Sequence, residues 1–157
     1  MAKGELMNVT EGETQVQVVA FKLRKEEYGF NILNVKEIKG LTDITRVPFA
    51  SDFIKGVINL RGSVLPVIDL KKRLGLQDME YTEDTRIVVV REDDLEVGMI
   101  VDAVTGVITL NGEHIDAAKS VDNENSRFIT GVGKVEEERL IILLNLEAII
   151  GLQDEIK

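Results

Sequence analysis

No cysteine and no tryptophan occur among the 157 residues, and histidine occurs once. The missing cysteine excludes disulfides, thiol nucleophiles and cysteine-ligated zinc. His114 has no second imidazole to share a typical zinc site and no partners for a Ser-His-Asp arrangement, so on its polar stretch it reads as a solvated surface residue. Aromatics make up only 4% of the chain, so a core must be built from Val, Ile and Leu. Long apolar runs are also missing; none approaches the roughly 20 residues of a membrane-spanning helix. The opening stretch M-A-K-G-E-L-M-N-V-T-E-G-E-T has no apolar block and does not read as a signal peptide. Residues 1–15 are predicted to be a flexible leader, residues 153–157 a tail, and the location cytoplasmic.

Positive charge is scarce. Nineteen Lys and Arg face 28 Asp and Glu, a formal net charge of −9. That argues against nucleic acid, whose phosphates need clustered cations, and against an anionic membrane surface. Catalytic motifs are equally thin. Gly62 and Ser63 lack the trailing glycine of a nucleophile elbow. G-V-G-K, from Gly131 to Lys134, lacks the upstream glycine of a phosphate loop and is followed by Val135 instead of Ser or Thr, so it reads as a strand. Asp78, Glu80, Glu83 and Asp84 lack the alternation and central glycine of a calcium loop and read as a solvated linker. Glu92, Asp93 and Asp94 cap an exposed turn, which offers no enclosed site for acid–base work. No catalytic residue, metal site or cofactor is expected. A small enzyme using the acidic loop or His114 is the alternative from another class.

What is present is 44% apolar residues rich in Val and Ile, which suit strands. There is also an internal repeat. F-I-K-G-V at Phe53 matches F-I-T-G-V at Phe128, 75 positions on, and D-L-K-K-R-L-G-L at Asp69 matches N-L-E-A-I-I-G-L at Asn145, 76 positions on. One inserted residue between the pairs accounts for the change. More weakly, V-V-A-F-K-L-R-K-E-E-Y-G lies over I-V-V-V-R-E-D-D-L-E-V-G at an offset of 69. Two copies of one plan follow, near residues 16–76 and 85–152.

In the first copy, strands are predicted over 16–23 and 28–33, with a turn at 24–26. A short helix is predicted over 34–39, stopped by Gly40. Pro48 and Ser51 should introduce a helical turn ending at Lys55. Strands 57–60 and 64–68 should pair around Arg61, Gly62 and Ser63. Asp69 should cap a helix over 70–74, stopped by Gly75. In the second copy, strands over 85–91, 96–101, 104–110, 129–135 and 140–144 are predicted. Pro66 implies a strand edge or a bulge. Such short antiparallel strands suggest small barrels or a sandwich, and two copies of this size should share an interface.

Without chemistry, a binding module remains. In N-V-K-E-I-K-G, helical spacing would put Val35 and Ile38 on one face with Glu37 beside it. Arg61 sits at a hairpin apex and should project outward. Core packing and a solvated turn account for these residues equally well on residue type alone.

E-E-Y-G-F-N-I-L-N-V-K-E-I, F-I-K-G-V-I-N-L-R-G, V-L-P-V-I-D-L and D-A-V-T-G-V together resemble the CheW-like chemotaxis coupling proteins, in order and spacing from about Val16 to Leu152. The resemblance implies a mostly β fold of two small SH3-like five-stranded barrels around a shared hydrophobic core, with a few short helices. It implies one domain over 16–152, with strands possible to exchange between the halves. It further implies a non-enzymatic adaptor. Such proteins couple the cytoplasmic tips of chemoreceptors (methyl-accepting chemotaxis proteins) to the histidine kinase CheA through its regulatory domain. Carried over by motif, Val35, Glu37, Ile38, Asn59 and Arg61 would face the receptor, a helical hairpin in the groove between the barrels. Arg61 would either reach the partner directly or order the groove. The kinase-binding surface is not picked out by any motif. A coupler for a different receptor–kinase pathway is the closest alternative.

Overall fold

The predicted copies and the observed sheets divide the chain differently. In the computed structural model, residues 15–151 are described except 49, 78, 118–125 and 137. The expected leader and tail therefore lie almost wholly outside the described residues. Strand β1 spans Gln15–Leu23, β2 Glu26–Asn31, β3 Val35–Gly40, β4 Ile54–Leu60 and β5 Ser63–Asp69; helix α1 follows at Leu70–Arg73. The second half places β6 at Arg86–Glu92, β7 at Leu95–Val101, β8 at Ala103–Asn111, β9 at Ile115–Ala117, β10 at Ile129–Val135 and β11 at Arg139–Leu144, then α2 at Leu146–Ile150. Short 3-10 turns precede β3, β9 and β10.

One sheet has the order β9-β10-β11-β2-β1-β8, the other β3-β6-β7-β5-β4. The β1–β2 hairpin of the first copy thus joins the strands of the second, and the β6–β7 hairpin joins those of the first. Each exchanged hairpin docks through a short parallel pairing. Val67 to Asp69 run beside Gly98 to Ile100, and Ile141 to Leu143 beside Glu27 to Gly29.

Both sheets curl shut. In the six-stranded sheet the two end strands, β8 and β9, are consecutive in the chain, joined by the turn Gly112–His114. Counting them as one bent strand leaves five. In the other sheet the chain beyond β3 returns to β4, where Thr45 and Val57 exchange backbone hydrogen bonds of 2.9 and 2.8 Å. A Cβ on Gly56 would lie 2.2 Å from the Thr45 carbonyl oxygen, and one on Gly131 would lie 2.7 Å from that of Asp116. The same step of the repeated FIxGV motif therefore needs glycine in both barrels, because a crossing strand leaves no room for a side chain.

Alternate residues of one strand enter different cores. In β6, Val88 and Val90 face the cluster shared by the two barrels, while Ile87 and Val89 face the interior of the five-stranded barrel with Ile58, Leu65, Val67 and Ile100. A strand buried on both faces reads as a continuous apolar run, as I-V-V-V does. The shared cluster draws Phe21, Phe30, Val97, Met99, Phe128, Leu146 and Ile149 from both barrels. Each such side chain contributes about 1.5–3 kcal/mol. A barrel of this size is marginal alone, so the shared layer holds the two together.

Two local expectations are corrected. Residues 35–40 form a strand, not a helix, and Lys55 lies inside β4 rather than ending a helical turn; what remains there is a single turn closed by Ile54 N–H to the Ser51 carbonyl at 3.0 Å. Other expectations hold. Asp69 caps α1 by accepting from the Lys72 N–H group; its repeat counterpart Asn145, a cap the sequence reading did not predict, accepts from the Ala148 N–H group at α2. The inserted residue lies in a hairpin: Leu60 pairs with Ser63 across two residues, Val135 with Arg139 across three. Pro66 precedes Val67, where pairing with β7 begins, so the β7 side of its strand is still unpaired there.

Candidate functional site

The five residues singled out by sequence lie on β3 and the β4–β5 hairpin, the two sides of the seam where the five-stranded barrel closes. Strand β3 carries a bulge at Lys36: Val35 lies opposite Val90, Glu37 opposite Val89, and Ile38 opposite Val88. Directly opposed residues in an antiparallel pair share a face. The extra residue therefore puts Val35 and Ile38 on one face of a strand at a spacing of three. Because Val88 and Val90 belong to the shared core, that is the face toward the second barrel. Val35 is half-buried and packs against the shared core; Ile38 is 42% exposed at its margin.

Glu37 points to the opposite face and meets Arg61. An Arg61 Nη1–H donates to Glu37 Oε1 at 2.6 Å. That bond holds the Glu37 carboxyl below the usual glutamate range and raises the guanidinium's pKa further. Arg61 occupies the first position of a two-residue turn with φ 54°, and Gly62 follows at φ 88°. Two successive positive φ values are what a type I′ hairpin requires, and Asn or Gly would satisfy the first more readily than Arg. The Asn59 Oδ1 steadies the turn by accepting the Gly62 N–H at 3.0 Å. The result is a charged clasp across the seam. The guanidinium side chain stays 72% exposed, with donors left for a partner.

Among the described residues, the seam of the second barrel carries no arginine clasp, only a looser exposed pair of Lys134 Nζ with Asp116 Oδ2 at 3.4 Å. By the repeat offsets, Gly106 stands in place of Glu37 and Glu136 in place of Arg61. Its arginine pair lies elsewhere. Arg139 grips Glu27 with two parallel bonds of 2.7 and 2.8 Å, and the Thr105 hydroxyl donates to the same carboxylate at 2.7 Å. The Arg139 hydrogen bonds, helped by Thr105, hold Glu27 low against the opposing effect of burial. The corresponding residues of the first barrel are Ser63 and Glu96. Sequence reading missed this pair, and it also missed fully buried Lys71, whose Nζ reaches Asp102 Oδ1 at 2.6 Å. Nothing local marks either pair, since 31 and 112 residues separate the partners.

No group of three or more His, Asp or Glu residues suited to a metal ion occurs among the described residues. His114 is exposed at the end of a 3-10 turn, and Glu80, Glu83 and Asp84 are exposed as a linker would be. No helix among them is long and apolar enough to cross a membrane.

Comparison with known proteins decides the family. The model of the CheW-like domain matches residues 17–154. The chain belongs to the CheW-like family. It is 38% identical over 145 residues to the chemotaxis protein CheW of Klebsiella aerogenes, covering 91% of this chain and 87% of that one. It is also 38% identical to the chemotaxis protein CheW of Bacillus subtilis, with 88% of each covered. Among solved structures, it resembles the scaffolding protein TtCheW of Thermoanaerobacter tengcongensis with a TM-score of 0.81 at 36% identity, over 85% of this chain and 91% of that one. The mostly β, two-sheet CheW-like architecture agrees with that neighbour.

Proposed function

We propose that this protein is a non-enzymatic chemotaxis adaptor that couples chemoreceptor cytoplasmic tips to the regulatory domain of the histidine kinase CheA. The family carries the reading: the match runs through nearly the whole described chain, to proteins named for chemotaxis and scaffolding. Residues 16–152 act as one domain, 1–15 as a leader and 153–157 as a tail, in the cytoplasm.

Val35, Glu37, Ile38, Asn59 and Arg61 form the receptor-facing site. Ile38 extends the Val35 face out of the shared core, which suits an apolar anchor on a docked helix. Arg61 remains paired with Glu37 and uses its outer N–H groups toward carboxylates or carbonyls of the partner. Arg24, Asp93 and Glu136 take the same left-handed conformation at other hairpin turns, so it is the exposed guanidinium beside the Ile38 face, not the turn geometry, that supports a working role. Contacts of this limited size give weak binary affinity, and arrays strengthen them by multiplicity.

The test is a titration of the isotope-labelled chain with a helical hairpin from a receptor tip, then with the kinase regulatory domain. Amide shifts confined to β3 and the β4–β5 turn on adding the hairpin support the reading. Saturable binding to neither partner would overturn it.

A further inference from the structure

One side chain joins the barrels at the point where the repeat meets itself. Arg73 ends α1, which follows β5 of the five-stranded barrel. Its guanidinium carbon lies 4.2 Å from the ring centroid of Phe53 and 5.0 Å from that of Phe128. These are the matching phenylalanines of FIKGV and FITGV, one leading into each barrel. They have the same backbone role: the Phe53 carbonyl accepts the Asp69 N–H, and the Phe128 carbonyl accepts the Asn145 N–H. Arg73 Nε–H also donates to the Ile149 carbonyl at 3.0 Å, and Nη2–H to the Ala148 carbonyl at 3.2 Å. Both acceptors are on α2, in the other half.

Three features make this more than incidental packing. Helix α2 has no basic residue in its own last turn, so the cation its C-terminal carbonyls favour comes from the opposite half. By the repeat offset of 76, Ile149 is the residue that corresponds to Arg73. Both copies thus contribute the same position to one contact, and the copies differ there so that one supplies the donor and the other the carbonyl. A rigid planar fork also fixes direction as well as distance, which a flexible ammonium does not. Arg127 lies 4.7 Å from the same Phe128 ring, but its side chain belongs to the second half and makes no comparable crossing.

We propose that Arg73 is a positioning residue that fixes the angle between the two barrels, and with it the width of the groove between them. The groove statement rests on the adaptor reading; the angle does not.

Residual dipolar couplings of the full chain test it without any partner. In the native protein, both sheets fit one alignment tensor. In Arg73→Met, which keeps the stem but loses the donors and charge, the two sheets should need different tensors, and α2 amides should exchange about tenfold faster. Val89→Ala, inside one barrel, serves as a control of matched stability loss and should leave both readouts native. If Arg73→Met lowers the melting temperature like the control yet keeps one tensor and native exchange at α2, the inference is overturned. Should the methionine variant not fold, Arg73→Lys replaces it; a native angle in that folded variant would overturn the inference equally.

Discussion

The two barrels share a plan, and they place their arginines differently. In the five-stranded barrel, Arg61 stands at a hairpin apex, mostly in solvent, and clasps Glu37 across the seam. In the six-stranded barrel, Arg139 lies one residue past the equivalent loop, on β11, and grips a Glu27 side chain that is 12% exposed. Glu136 takes the position of Arg61 instead, at φ 62°. An exposed pair between flexible side chains stabilises little, whereas a half-buried bidentate pair leaves a carboxylate unsatisfied when broken. One barrel spends its arginine on its own fold and the other presents it. That contrast, not the presence of arginine alone, is the ground on which a binding role is proposed for Arg61 and a structural one for Arg139.

The comparison can be broken in several places. The largest effect is expected at the glycine both barrels need. Gly56→Ala should destabilise by about 2–5 kcal/mol, since the new Cβ would overlap the Thr45 carbonyl and the crossing strand would have to move. Gly131→Ala, with its looser 2.7 Å contact, should cost less. Paired urea titrations of the two variants check the order.

Next, Arg139→Met should cost about 1–3 kcal/mol by leaving Glu27 without its main donor. The effect should depend on pH in a defined direction. The folded carboxyl titrates below its ordinary value of 4.5, so Arg139 contributes fully above that value and loses its contribution as pH falls through the lowered one. Acid unfolding curves of the native protein and Arg139→Met should therefore lie apart at neutral pH and converge in acid. A gap that widens below pH 4.5 would show that the pair works otherwise.

Smaller still is the change at Arg61. Arg61→Gly relieves the positive φ and should raise the melting temperature by roughly 1–3 °C while weakening receptor-tip binding. A stabilised variant that binds worse is expected where function holds a residue in a strained place. Binding that survives intact would make Arg61 a simple turn residue.

Much of this fold was legible. The repeat, the hairpin turns, the Asp69 helix cap and the single inserted residue all left local marks, because each depends on residues near one another in sequence. The error at residues 35–40 has a clear cause. Val35 and Ile38 stand three apart, which is the helical period, but a bulge at Lys36 restores the same-face relation within a strand. Periodicity reports a shared face, not the element that makes it. The exchange of hairpins between sheets was legible only through family resemblance, since contiguous copies give no sign of which partner a hairpin will choose. Among the site residues, Glu37 and Arg61 were picked out separately, and the bond between them emerged only when the seam brought together positions 24 apart in sequence. Arg73 stands in a K-K-R run, and nothing in the sequence sets it apart from its neighbours.

The most direct test uses the equivalent positions Ile38 and Val107, exposed on the bulged strands of the two barrels at 42% and 54%. The native chain, Ile38→Ser and Val107→Ser are each titrated with the receptor-tip hairpin, with folding checked by their amide spectra. A loss of affinity of about tenfold for Ile38→Ser, with Val107→Ser near native, is the predicted result. Equal losses, or a loss confined to Val107→Ser, would contradict the claim that the first barrel alone presents the receptor-facing site.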